Sequence, residues 1–107
     1  MSEAIPQLQR VRDQHYRIVG DVRFSNVVAL RAQGSSLMEA ASESAQFIDL
    51  AQLTYRDSAV LLLCLAWLRE ARRKGRSLLL QNPPDLLREM AQLSGVDVLL
   101  FGAGAGS

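Results

Sequence analysis

The chain has 107 residues, 49% of them apolar and 21% charged, which is the composition of one ordinary globular domain with room for a single core. A formal net charge of +1, with one Trp, two Tyr and three Phe, argues against a nucleic-acid binder that works by phosphate neutralisation or base stacking. The single cysteine excludes an internal disulfide, and one cysteine with one histidine cannot build a zinc site within the chain.

The segment Met1 to Asp13 carries charges throughout and has no apolar stretch of signal-peptide length, which predicts a cytoplasmic protein. Residues Ile5 to Val11 alternate loosely, and His15 to Val19 alternate again after the polar Arg12-Asp13-Gln14, so the two runs predict a hairpin. His15 is expected to be exposed at a strand edge. Ser25-Asn26 offers an N-cap for a helix carrying Val27, Val28, Leu30, Leu37 and Met38, with Gly34 a place where that helix ends or bends before a last turn to Ala41. Ser42 to Ser44 read as a polar link.

The stretch from Phe47 to Gly75 organises the rest. It reads as a short buried strand, Phe47 to Leu50, a polar turn ending in Arg56-Asp57-Ser58, and a helix with no polar side chain from Ala59 to Leu68 except the thiol of Cys64. At 100° per residue, Leu61, Cys64, Leu65, Leu68 and the stem of Arg72 share one face, assigned to the sheet. Ala59, Leu63, Ala66 and the aliphatic part of Glu70 lie opposite, flanked by Leu62 and Trp67. A helix apolar on all sides must be covered on all sides. The expectation is that a protein partner covers the second face, with Tyr55, Arg56, Asp57 and Ser58 as a polar rim and Ala59, Leu62, Leu63, Ala66 and Trp67 as an apolar centre. The alternative is that a neighbouring helix or the C-terminal tail covers it; homodimerisation of the isolated domain is a further use of such a face.

Gly75 suits the helix stop, and Arg69, Arg72, Arg73, Lys74 and Arg76 cluster there. That cluster reads either as a complement to the helix dipole or as a contact for anionic lipid or an acidic partner. Ser77 to Gln81 predicts a strand whose Leu78, Leu79 and Leu80 are buried on both sides. Asn82-Pro83-Pro84-Asp85 turns the chain into a helix with Leu86, Leu87, Met90, Ala91 and Leu93, stopped by Gly95. Val96 to Phe101 reads as a last strand and residues 102–107 as a mobile tail, leaving one domain over residues 1–101.

Motifs for chemistry are missing. The chain has no Walker loop, no dinucleotide fingerprint and no G-x-S-x-G elbow, so neither a cofactor nor catalysis is expected. Cys64 reads as a small buried hydrophobe. The longest apolar run is about half of the roughly 20 residues that span a bilayer. Asp57-Ser58 follows a strand and opens the long helix, where a serine hydroxyl caps the helix, accepts phosphate or donates to a partner.

Ile48-Asp49-Leu50, Asp57-Ser58-Ala59, the apolar helix closed by Arg72-Arg73-Lys74-Gly75-Arg76, and Leu78 to Gln81 together resemble the STAS domain of sulfate-transporter tails and anti-sigma factor antagonists. The resemblance covers roughly Ile5 to Phe101. It implies an α/β fold with a mixed sheet of about five strands and three or more helices packed on it. It also places Ser58 at the position that anti-sigma kinases phosphorylate, although Ala59-Val60 stand where those antagonists carry a small residue and a glycine. Gly20-Asp21-Val22-Arg23-Phe24, Val27-Val28-Ala29-Leu30, Asn82-Pro83-Pro84-Asp85-Leu86-Leu87 and Leu93-Ser94-Gly95-Val96 are similar to the small stand-alone STAS subunits of the Mla phospholipid-transport ABC system. That likeness implies a non-catalytic subunit bound to the transporter's ATPase, and through it to an inner-membrane permease. The alternative it leaves is an anti-sigma factor antagonist switched at Ser58.

Overall fold

The computed structural model describes residues 6–40, 45–55 and 57–102. The predicted start of the hairpin at Ile5, the turn to Ala41, the Ser42 to Ser44 link, Arg56 and residues 103–107 of the tail lie outside them.

The hairpin forms from β1 (Gln7–Arg12) and β2 (His15–Val22), antiparallel, with Leu8 opposite Ile18. Its turn is tight because Gln14 takes φ +67°. Helix α1 (Val27–Ala40) follows, then β3 (Ala45–Asp49), which runs parallel to β2 with Tyr16 opposite Ile48. The chain kinks at Leu50 and resumes as β4 (Leu53–Tyr55), which pairs with the far end of β2, Gly20 opposite Leu53 and Val22 opposite Tyr55. After α2 (Ala59–Arg73), β5 (Ser77–Gln81) pairs parallel to β3, and α3 (Asp85–Leu93) and α4 (Asp97–Phe101) complete the order. The sheet runs β1-β2-β3-β5, with β4 extending along β2. Among the described residues no helix is long and apolar enough to cross a membrane.

One side of the sheet is buried. Leu8, Tyr16, Ile18, Val22, Ile48, Leu78 and Leu80 alternate inward and meet Leu61, Leu63, Cys64 and Trp67 of α2 in one cluster. Residue Leu79, between two buried leucines, is 45% exposed, so β5 is covered on one face and not on two as its continuous apolar run suggested. His15 is half-buried and not simply exposed, because its ring stacks on its cross-strand partner Phe47 with centroids 4.7 Å apart. Cys64 is fully buried, and that desolvation pushes its thiol up to about 12.

Two elements differ from the sequence reading. Val96 to Phe101 forms a helix and not a strand: Leu100 N–H donates to the Val96 carbonyl at 2.9 Å, and Asp97 sits in the first turn, where the positive helix end favours it. The fifth strand is instead β4, which the sequence reading treated as part of a polar turn. Its three residues carry too short a pattern to declare themselves, and pairing with β2 from far along the chain makes the strand.

Helix α1 is neither ended nor bent at Gly34 but continuous to Ala40. Gly34 is buried against α2, and a Cβ built there would lie 2.4 Å from Cζ2 of Trp67. The indole cannot yield, since it is wholly buried and its Nε1 donates to the Arg31 carbonyl at 3.1 Å. Gly34→Ala in a helix interior ordinarily gains about 1 kcal/mol from propensity. Here overpacking, about 1–3 kcal/mol and at its upper end for so close an approach, wins. Gly34→Ala therefore loses roughly 2 kcal/mol, read as a lower urea midpoint; a raised midpoint would contradict this packing.

Candidate docking site at the start of the second helix

The loop that precedes α2 is built around two carboxylates. Asp21, at the end of β2, pairs with Arg23 and accepts the Thr54 hydroxyl at 3.0 Å, while its carbonyl accepts the Asn26 amide at 2.9 Å. Ser25-Asn26, the N-cap offered by the sequence, immediately precedes α1, and the Asn26 side chain is engaged with the turn. That side chain closes the turn behind it, accepting Arg23 N–H at 3.0 Å. The second carboxylate, Asp57, ties the two helix starts together: Oδ2 accepts Phe24 N–H at 3.2 Å and Oδ1 accepts Ala59 N–H at 2.9 Å. Such a bridge fixes the β2–α1 loop against the first turn of α2.

This division of labour decides what Ser58 does. Ser58 is the residue at the N-cap of α2, yet its hydroxyl makes no capping bond: its backbone, at φ −79° and ψ 4°, is not in the extended conformation of a capping residue, while Asp57 takes the Ala59 N–H. Ser58 is exposed. A serine at a helix start that the helix does not use offers its hydroxyl outward, beside the positive end of the helix dipole.

Exposed apolar side chains lie on the elements that this turn joins. Leu62, whose N–H is bonded to the Ser58 carbonyl at 3.3 Å and so lies one turn on, is 55% exposed. Phe24, held by Asp57, is 54% exposed, and Val28 in the first turn of α1 is also open to solvent. The sequence reading omitted Phe24 and Val28; the signal available was an aromatic residue in the otherwise polar loop Arg23-Phe24-Ser25-Asn26.

The predicted docking face divides. Leu62 is exposed and Ala66 half-buried, but Ala59, Leu63 and Trp67 are in the core. The assignment of those three to an open face is corrected: α1 covers that side, with Gly34 under the indole and the Ser35 hydroxyl donating to Glu70 Oε1 at 2.9 Å. Of the residues assigned to the sheet, Leu61 and Cys64 are buried, whereas Leu65 and Leu68 sit half-buried at the rim. Tyr55 is half-buried, with a hydroxyl that has no hydrogen-bond partner among the described residues; burial, and then the nearby Glu89 carboxylate, raise its pKa. The candidate site is therefore the exposed Ser58 with exposed Leu62 one turn on, and the exposed Phe24 and Val28 of the segment that Asp57 ties to the start of α2. Exposed side chains of this kind make a contact surface.

Comparison with known proteins identifies the scaffold. The family described as "Mlab, STAS domain" matches residues 8–101. No curated protein matches the chain. The anti-sigma factor antagonist SpoIIAA in its unphosphorylated form is 24% identical with a TM-score of 0.67, over 86% of this chain and 82% of that one. The Bacillus cell fate determinant SpoIIAA in its phosphorylated form is 23% identical with a TM-score of 0.65, over 90% of this chain and 87% of that one. At these identities the likeness is one of fold.

Proposed function

The chain belongs to the STAS domain family described as Mlab, and from that premise we propose that it is a non-catalytic interaction subunit whose Ser58 surface docks on the ATPase of an ABC transporter for phospholipid. The observation that carries the reading is the exposed Ser58 at the N-cap of α2, whose hydroxyl makes no capping bond, with exposed Leu62 one turn on and exposed Phe24 held by its N–H on Asp57. A polar donor beside exposed apolar side chains suits an interface, where the apolar groups exclude water and the hydroxyl fixes register. On this reading the chain works in the cytoplasm and reaches the inner membrane only through the ATPase and its permease.

A second reading has its own observation. The same free hydroxyl at a helix start is a suitable phosphate acceptor, and a fold neighbour has been solved in a phosphorylated form. Phosphate would add about −1.5 to −2 charge at this docking surface and expel a partner, as an anti-sigma antagonist switch requires.

Paired variants separate the two. Ser58→Ala leaves the exposed apolar side chains in place and is expected to retain the ATPase within a few-fold in co-purification, whereas Ser58→Asp places a charge at the surface and lowers recovery at least tenfold. Mass spectrometry of the wild-type chain from cells then reads phosphate on Ser58. Full phosphorylation under conditions that release the partner would favour the switch over the constitutive subunit.

A further inference from the structure

The exposed side of α2 does not end at Leu62. Leu62, Leu65, Arg69 and Arg72 follow one another at helical spacing, so one stripe runs from the Ser58 turn to the basic end of the helix. Leu62 to Arg72 spans about 15 Å at 1.5 Å per residue. Along it, Leu65, Leu68, Arg69 and Arg72 face Leu99 of α4 across a groove of about 80 Å³. One water needs only about 10–15 Å³ by the same measure, so the groove admits a side chain.

Charge identifies the occupant. Five cations lie between Arg69 and Arg76. Two have partners: Lys74 bridges Glu39 at 3.8 Å and Glu70 at 3.5 Å, and the Arg76 guanidinium donates to the Met38 carbonyl. Arg69 and Arg72, the two on the groove, meet no carboxylate among the described residues. The helix dipole accounts for a basic last turn, but not for an apolar groove between two unneutralised guanidinium groups.

We infer that this groove receives an acidic, leucine-bearing segment of the protein partner that docks at Ser58, its carboxylates on Arg69 and Arg72 and an apolar side chain against Leu65, Leu68 and Leu99. The inference rests on the docking reading above. A guanidinium pairs with a carboxylate through two parallel N–H···O bonds, which gives the contact a direction as well as a charge. Leu65 and Leu68 are half-buried below the arginines, so a protruding side chain reaches them and a flat anionic bilayer does not. A helix of about three turns would touch Leu62 and both arginines together.

Photo-crosslinking of the full chain in its own cells tests this, with p-benzoylphenylalanine replacing either Leu62 or Leu99. Both positions are expected to capture the same polypeptide, and the peptide bound at position 99 to carry Asp or Glu beside an apolar residue. Arg69→Glu with Arg72→Glu, both on exposed positions and expected to melt like wild type, lowers the adduct at 99 at least tenfold relative to that at 62. An adduct at 99 with membrane lipid, with a segment lacking carboxylates, or insensitive to the charge reversal overturns the inference, as does no adduct at 99 while 62 still captures. Loss of capture at 62 in the unreversed chain instead overturns the docking reading itself.

Discussion

Leu63→Asp is expected to unfold the domain. The side chain is 1% exposed and belongs to the central cluster with Trp67, Ile48 and Leu80. Removing a buried leucine costs about 2–5 kcal/mol. Leaving an unpaired carboxylate in its place costs several kcal/mol more, or forces the group to take up a proton. A domain of this size has about 5–15 kcal/mol in all, so the sum consumes most or all of it. Circular dichroism at 25 °C should show no cooperative melt, or a midpoint lowered by tens of degrees. A melt near that of wild type would place Leu63 on the surface and restore the open second face.

Leu62→Asp, one position earlier, is expected to do the reverse. Leu62 is 55% exposed, so the folded state barely notices the charge, and the stability change should stay within about 0.5 kcal/mol. Binding is a different matter. In a docked complex the aspartate is desolvated against the partner, and hot-spot losses of about 2–4 kcal/mol translate into roughly 30- to 1,000-fold weaker association. Titration of the purified partner against both proteins reads the ratio directly. Two adjacent residues with opposite outcomes, one in stability and one in binding, separate the packing role of α2 from its docking role.

Much of the architecture was legible because it follows from local pattern. The hairpin shows as two alternating runs about a polar turn, β5 as Ser77 to Gln81, and α3 as an apolar face between Pro84 and Gly95. What was not legible depends on distant partners. Strand β4 exists because Gly20 to Val22 offer it an edge. For Val96 to Phe101, a short apolar run carries no period that separates helix from strand.

The candidate site shows the same division. Asp57-Ser58 stands out in sequence because it follows a strand and opens a helix, and that position proves exposed. Which side of α2 stays open was not legible from its helical wheel, since the wheel ranks faces but does not say how many are covered. Gly34 held the missing clue: a glycine inside a helical pattern marks close approach, and what approaches is Trp67. With α1 on that side, Ala59, Leu63 and Trp67 become core and the open stripe rotates to Leu62 and Leu65.

What sits on Ser58 and Leu62 is read by affinity purification of the tagged full chain from its native cells, wild type beside Leu62→Asp. An ABC ATPase together with its membrane permease is expected from wild type, and neither from the variant at equal levels of folded protein. Recovery of an anti-sigma kinase in place of the ATPase, or undiminished recovery of the ATPase by Leu62→Asp, would contradict the docking reading.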